Sequence, residues 1–194
     1  MGRLLAVPAR LLHPWRRRAA RETLRTRALR SILVVCHGNI CRSPVAAALL
    51  RQALGPAGIR VESAGFIGPN RPSPPAAVAT AARHGVDLSD HRSRLLTADL
   101  VRSAELIVVM DAAQRREVCD RFGRSPRDVL LLGDLDPQPI ATRTIRDPVE
   151  QPLEVFEESY ARIERCMREL ESVVWFGIDG PCIGDVTSYP RARS

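Results

Sequence analysis

Two cysteines, an arginine and a Gly-Asn pair lie together in the stretch "SILVVCHGNICRSP", residues 31–44. An ionised Cys36 could act as a nucleophile or a metal ligand, and Cys41 could pair with it in redox chemistry. Arg42 offers a planar fork that binds two oxygens of a phosphate or carboxylate. Three chemistries are therefore open: a metal site, a dithiol couple, or a nucleophile beside a bound oxyanion.

The spacing of the cysteines argues against a metal site. There is no Cys-x-x-Cys pair, and Cys36 and Cys41 lack two further ligands at the spacing of structural zinc sites. An odd number of irregularly spaced cysteines is untypical of secreted disulfide scaffolds and favours the reducing cytoplasm. We expect neither a metal nor a cofactor. The five cysteines are Cys36, Cys41, Cys119, Cys166 and Cys182.

The elements around this stretch predict how its side chains are placed. "SILVVC" (31–36) is a short β-branched run typical of a buried strand, and Ser43-Pro44 predicts an N-cap and first residue of a helix that continues to Gly55. Gly38 and Asn39 tolerate the unusual backbone angles of a tight turn. Such a turn directs successive amides towards an anion at a helix N-terminus. The stretch therefore predicts a phosphate-binding loop that favours the thiolate form of Cys36.

The rest of the chain alternates between strand and helix patterns. Further strands are predicted over 59–65, 105–111 and 128–135, and further helices over 76–85, 112–123 and about 153–173. This alternation predicts a three-layer α/β/α fold with a four-stranded parallel sheet, covered on both faces. Ligands of such sheets bind beyond the carboxyl ends of the strands, which is where the phosphate-binding loop follows the first strand.

The charge of the chain is unevenly distributed. Residues 1–30 contain nine arginines and one acid, whereas the remainder contains 20 arginines and 21 acids. We expect a flexible basic extension over 1–30, a domain over 31–175 and a loose tail over 176–194. A nearly neutral domain does not favour nucleic acid as a partner. No apolar run is long enough to span a membrane, but residues 11–18 could form a short basic helix for weak contact with an anionic membrane surface or an acidic partner.

The loop sequence "VCHGNICRSP" resembles the phosphate-binding loop of the low-molecular-weight protein tyrosine phosphatases of bacterial type. The resemblance continues in order through "ESAG" (62–65), "DHRSR" (90–94), "IVVMD" (107–111) and "RDP" (146–148), and covers about residues 31–173. It implies a protein phosphatase that hydrolyses phosphotyrosine through a phosphocysteine intermediate.

The resemblance also implies roles for individual residues. Cys36 would be the nucleophile, Arg42 would hold the phosphoryl group, and Asp147 would be the general acid on a mobile loop. Without the resemblance, an aspartate before proline is more typical of a turn. The residues expected to bind phosphate are His37, Gly38, Asn39, Ile40, Cys41, Arg42 and Ser43, and the supporting network is expected to contain Asn39, Ser63 and His91.

One position departs from the family pattern. Val149 stands where members that act on phosphotyrosine usually carry an aromatic residue after Asp-Pro, and Phe66 could supply the missing wall. A protein arginine phosphatase is one alternative, although those enzymes often have threonine where this chain has Ile40. A thioredoxin-coupled arsenate reductase would need cysteines near "IVVMD", where only Cys119 follows. A non-catalytic phosphate-binding module is the third alternative.

The resemblance suggests a partner, and the spacing of the two loop cysteines suggests a redox role. The partner would be a tyrosine-phosphorylated protein, because bacterial members often oppose tyrosine kinases of polysaccharide export. Cys41 lies close enough in sequence to form a protective disulfide with Cys36 under oxidation.

Overall fold

The computed structural model of the chain describes residues 9–178. The loose tail expected over 176–194 lies outside the described residues, except that 176–178 continue the last helix. Cys182 also lies outside them.

The centre of the molecule is a parallel sheet of four strands in the order β2-β1-β3-β4. The strands are β1 Ser31–Cys36, β2 Arg60–Gly65, β3 Leu106–Val109 and β4 Val129–Leu131. Every residue of β1 is buried, because it is a central strand with a helical layer on each face. The sheet confirms the fold class expected from the sequence.

The fourth strand is shorter than the pattern "DVLLLGDL" suggests. Only Val129–Leu131 pair with β3, and a 3-10 helix follows at Leu132–Leu135. The partner strand β3 ends at Val109, so the backbone beyond Leu131 has no continuing ladder and turns instead.

Helices cover both faces of the sheet and complete the three layers. On one face α2 (Arg42–Leu54), α3 (Pro75–Arg83) and α6 (Leu153–Ile178) surround an apolar core that includes Val34 and Tyr160. On the other face α4 (Ala98–Ser103) and α5 (Ala112–Phe122) enclose a smaller core that includes Val35 and Val109. Alternate residues of β1 therefore feed different cores. Among the described helices, none has the length and apolar character that a membrane span needs.

The N-terminal segment differs from the expected flexible extension. Residues Ala9–Arg25 form α1, which packs against α6 and the turn Leu132–Leu135. Leu24 is buried in the larger core, and Arg17 pairs with Glu169 of α6 at 2.7 Å. At the other end of the helix, the Nε2 atom of His13 lies 2.8 Å from the carbonyl oxygen of Asp136. The part of the extension from Ala9 onward thus belongs to the folded body.

Helix α1 and strand β4 share a cavity of about 260 Å³, which is lined by residues of α1 such as Trp15 and Ala19 and by Val129–Leu131 of the strand. Within residues 9–178, β4 pairs with a strand on one side only.

Candidate active site

The loop between β1 and α2 has the tight geometry that its sequence predicts. Asn39 adopts a left-handed backbone with φ of 50°. The loop also lies against the end of β2, where a Cβ atom on Gly65 would approach the Asn39 nitrogen to 2.7 Å and the His37 oxygen to 2.8 Å. A side chain at position 65 would push the loop away, so the glycine of "ESAG" is part of how the loop is built.

Carbonyl groups of the loop point outward to donors from other elements. The His37 carbonyl accepts from the amides of Phe66 and Ile67, at 2.8 and 3.3 Å. The Gly38 carbonyl accepts from Arg71 at 3.4 Å, and the Asn39 carbonyl accepts from His91 at 2.8 Å. The Cys41 carbonyl accepts from the Tyr160 hydroxyl at 3.2 Å.

Outward carbonyls fix the direction of the amides. A trans peptide places each carbonyl opposite the amide of the next residue, and the described chain has no cis bond. The amides of Gly38, Asn39, Ile40 and Arg42 therefore point to the inside of the loop. Convergent amides at a helix N-terminus form a site for a tetrahedral oxyanion.

A short chain of hydrogen bonds leads to the sulfur of Cys36. The Ser43 hydroxyl donates to Cys36 Sγ at 3.0 Å, and Asn39 Nδ2 donates to the Ser43 oxygen at 2.9 Å. The other end of the Asn39 amide accepts from the backbone of Arg94 at 2.8 Å. All the polar atoms of the Asn39 side chain are thus used to orient Ser43, and Ser43 orients the sulfur.

The role of Ser43 differs in one respect from the sequence prediction. The first helical residue of α2 is Arg42, the cap is Cys41, and no side chain caps the helix. The Ser43 hydroxyl donates to Cys36 Sγ at 3.0 Å, with the Ala64 carbonyl as a more distant acceptor at 3.5 Å, so the serine orients the sulfur and does not cap the helix.

Of the two other expected supporting residues, the structure joins only His91 to the loop. Its Nε2 donates to the Asn39 carbonyl, and burial lowers the pKa of His91 although that hydrogen bond acts in the opposite direction. Ser63 is buried on β2 beside Val34, but its hydroxyl makes no hydrogen bond within residues 9–178. Its placement in the network is therefore not supported.

Arg42 and Asp147 face each other at the site. Arg42 is 3% exposed, and its guanidinium donates to the Ile145 carbonyl at 3.1 Å and to Asp147 Oδ2. The Ile145 amide in turn donates to the Met110 carbonyl at the end of β3. The segment that carries Asp147 is thus anchored to the sheet, while the Asp147 side chain is 41% exposed.

The two cysteines of the loop differ in environment. The pKa of the Cys41 thiol is raised to about 12, mainly by burial and secondly by the charge of the neighbouring Cys36. Cys41 therefore remains a thiol at neutral pH. Both cysteines are free, and the disulfide between them stays a prediction.

A cavity of about 130 Å³ opens above Cys36 and Arg42. Val149 and Ile67 form apolar walls, and Asp147 also lines the space. Phe66 does not supply a wall: it is 7% exposed and packs in the smaller core, because successive residues at the end of β2 point to opposite sides. Ile67, which is not among the residues expected from the sequence, forms a wall instead, and its position next to Phe66 is the signal that could have identified it.

Arg71 also lines the cavity, and it is not among the residues expected from the sequence. Its loop, "IGPNRPSPP", carries no motif that distinguishes this arginine from the others of the chain.

A thiol beneath convergent amides, with a buried guanidinium and a carboxylate opposite, is the constellation of phosphoryl transfer through a cysteine. The family model described as low molecular weight phosphotyrosine protein phosphatase matches residues 31–174. The chain belongs to this family.

Individual relatives agree with this assignment. The probable low molecular weight protein-tyrosine-phosphatase EpsP of Ralstonia nicotianae is 46% identical over 139 residues, which are 71% of this chain and 90% of EpsP. The crystal structure of the tyrosine phosphatase AmsI of Erwinia amylovora matches with a TM-score of 0.67 at 33% identity, over 74% of this chain and 92% of AmsI. The YwlE arginine phosphatase of Geobacillus stearothermophilus matches with a TM-score of 0.67 at 27% identity, over 75% of this chain and 92% of the YwlE chain.

Proposed function

We propose that the protein is a protein-tyrosine-phosphatase in which Cys36 is the nucleophile, Arg42 the phosphoryl ligand and Asp147 the proton donor. The observation that carries the proposal is the hydrogen bond from Ser43 to the Cys36 sulfur beneath inward-pointing amides. This arrangement holds a sulfur nucleophile below the place where a phosphoryl group binds.

In the first step the sulfur attacks phosphorus. The phosphoryl oxygens bind the loop amides and the guanidinium of Arg42, which disperse the negative charge of the transition state. The phosphorus–sulfur bond forms as the bond to the tyrosyl oxygen breaks. Asp147, whose carboxyl lies at the cavity beside Arg42, protonates that leaving oxygen.

In the second step water hydrolyses the phosphocysteine. Asp147, now a carboxylate, accepts a proton from the attacking water, and the phosphorus–sulfur bond breaks to release phosphate. The Ser43 hydroxyl stabilises the departing sulfur through the bond that it already makes. The carboxyl group ends the cycle protonated again, so the two steps together consume one water molecule.

Hydrolysis of p-nitrophenyl phosphate tests the proposal. The protein should turn over this substrate, and Cys36→Ser should reduce kcat by about a thousand-fold or more, as is typical when a nucleophile is removed. Cys119→Ser is the matched control, since Cys119 lies on α5 at the smaller core and should retain activity. A wild-type protein that binds phosphate but never releases p-nitrophenol would instead be a non-catalytic binding module.

The walls of the cavity favour phosphotyrosine over the alternatives. Ile40, Ile67 and Val149 offer apolar surface to a phenyl ring. Phosphotyrosine and phosphoarginine peptides of the same flanking sequence distinguish the two phosphatases, and we expect the higher kcat/KM for phosphotyrosine. Thioredoxin-dependent reduction of arsenate would favour the reductase instead, but the chain between β3 and β4 offers only Cys119 for a relay.

The proposed partner is a tyrosine-phosphorylated protein, and the resemblance to bacterial members favours a tyrosine kinase of polysaccharide export. A free nucleophilic thiol suits a reducing compartment such as the cytoplasm. Incubating a purified, autophosphorylated kinase of this type with the protein should remove its phosphotyrosine signal, and Cys36→Ser should not.

Weak contact with an anionic membrane surface is proposed for α1. Its outer face carries Leu11 and Trp15, which are 70% and 76% exposed, beside exposed Arg10 and Arg18. Apolar and cationic side chains on one helix face are typical of interfacial binding. Co-sedimentation should be stronger with anionic than with zwitterionic vesicles and should fall in the double variant Leu11→Ala, Trp15→Ala. Equal binding to both kinds of vesicle would contradict this.

A further inference from the structure

Arg71 is a second arginine at the cavity, and it has no part in the steps described above. Arg42 is paired with Asp147, whereas Arg71 makes no ion pair within residues 9–178. Its Nε atom is buried without a hydrogen-bond partner in this part of the chain. The cavity mouth therefore presents one cation whose charge no carboxylate of the described residues neutralises.

The backbone holds Arg71 firmly in place. Its amide donates to the Ser93 hydroxyl and its carbonyl accepts from the Ser93 amide, both at 2.9 Å. The Ser93 hydroxyl in turn donates to the Gly68 carbonyl at 2.6 Å. A half-buried side chain on a backbone fixed in this way loses little freedom when it binds a ligand.

Two glycines make room for the guanidinium. A Cβ atom on Gly38 would lie 2.5 Å from Arg71 Nη2, and one on Gly68 would lie 2.9 Å from Nε. Gly68 also has φ of 59°, which favours glycine. The side chain of Arg71 therefore lies directly against the phosphate-binding loop.

The contact between Arg71 and the Gly38 carbonyl places Arg71 on the opposite side of the loop from the expected phosphoryl group. Its Nη2 reaches the Gly38 carbonyl at 3.4 Å, and that carbonyl points away from the inside of the loop. Arg71 thus approaches the loop from its outer side, while still lining the cavity. On that side it lies outside the ring of loop amides that would hold the phosphoryl group.

We propose that Arg71 is an anion subsite that binds a carboxylate side chain flanking the phosphotyrosine of a protein substrate. The planar guanidinium fork matches a carboxylate, and a charge-assisted pair at a half-buried site is stronger than one on the open surface. The inference rests on the proposed phosphatase function and names the class of peptide that the same site prefers.

Two phosphotyrosine peptides test the subsite. One carries Asp and Glu beside the phosphotyrosine, and the other carries Asn and Gln at the same positions. The wild type should prefer the acidic peptide by about ten-fold in kcat/KM at low salt. The preference should fall as salt screens the pair, which is measured on the wild type and needs no folded variant.

Substitutions assign the preference to Arg71. In Arg71→Gln the ratio of the two kcat/KM values should fall close to one, and Arg71→Lys should keep part of it. Arg92→Gln is the matched control, because the backbone of Arg92 pairs with that of Pro72, next to Arg71, but Arg92 does not line the cavity. It should keep the full preference.

Hydrolysis of p-nitrophenyl phosphate, which has no flanking residue, keeps the two proposals apart. Equal rates on the two peptides by an active wild type would overturn the subsite and leave the phosphatase standing. Arg71→Gln losing as much on p-nitrophenyl phosphate as on the acidic peptide would also overturn it, because Arg71 would then only support the loop. A greater loss on the acidic peptide supports the subsite.

Discussion

The phosphate-binding loop and α1 are held in place in different ways. The side chains of the loop bond to one another, since Asn39, Ser43 and Cys36 form a chain of hydrogen bonds within eight positions of the sequence, and other elements then hold the outward carbonyl groups. The helix takes its place from remote residues, such as Glu169 of α6 and the carbonyl of Asp136. A function encoded locally can be recognised from a short motif, whereas a docking position encoded by distant partners cannot.

The two regions should also differ in what they control. Substitutions in the loop should reduce catalysis with little effect on folding, and substitutions in α1 should reduce stability with little effect on catalysis. Four substitutions test this separation, and their expected effects decrease in the order Arg42→Lys, Leu24→Ala, Glu169→Gln and His91→Gln.

Arg42→Lys should have the largest effect. Lysine cannot present a planar fork to two phosphoryl oxygens while also reaching the Ile145 carbonyl, so kcat/KM should fall by roughly 10²- to 10³-fold. Steady-state kinetics on p-nitrophenyl phosphate measures this. Arg168→Lys, on the exposed surface of α6, is the control. Retention of more than a tenth of the activity would mean that charge alone suffices at position 42.

Leu24→Ala should destabilise the fold by about 2–4 kcal/mol, because it leaves a cavity in the larger core. Urea denaturation measures the loss, and kcat/KM below the transition should stay within two-fold of the wild type. Leu11→Ala on the same helix is the control, since Leu11 is exposed and its loss should change stability by less than about 0.5 kcal/mol. A Leu24 variant as stable as the control would show that α1 is not docked.

Glu169→Gln should cost about 1 kcal/mol, because the pairs with Arg17 and Arg21 are mostly buried but still partly screened by water. The loss should shrink at high salt, which distinguishes ion pairs from packing. Glu158→Gln, at an exposed site on α6, should leave thermal stability nearly unchanged. Equal shifts in Tm for the two variants would show that these ion pairs do not hold α1 against α6.

The smallest effect concerns pH and His91. Burial holds the folded-state pKa of His91 below its ordinary value of 6.5. The contribution of the neutral ring to stability is therefore complete above that value and is lost as the pH falls through the lowered pKa. The difference in Tm between wild type and His91→Gln should be constant above about pH 7 and should shift against the wild type below 6.5. A difference that does not vary with pH would show that the ring titrates as it does in the unfolded chain.

Much of the fold could be predicted from the sequence. The run 31–36 became β1 with the predicted bounds, since a buried parallel strand needs nothing more than a short β-branched run. The fourth strand is shorter than predicted, because a ladder lasts only as long as its partner, and the length of β3 cannot be read from residues 128–135.

The site was predicted in part. Cys36, Arg42 and Asp147 lie together as expected, and Asn39 and His91 contact the loop. Ser63 makes no side-chain hydrogen bond within residues 9–178, and Ile67 rather than Phe66 faces the cavity. The backbone direction just after a strand decides which of two adjacent residues faces a cavity. That direction cannot be predicted from the residue types alone.

The position of α1 has a consequence for self-association. Within residues 9–178, β4 ends the sheet, and an unpaired sheet edge is a template on which a second chain can add a strand. Trp15 and Ala19 of α1 line a cavity together with Val129–Leu131 of this strand. A shortened chain beginning at Ser31 would lack this helix, so the apolar residues of β4 at the cavity would gain exposure, and an exposed apolar edge strand favours edge-to-edge aggregation.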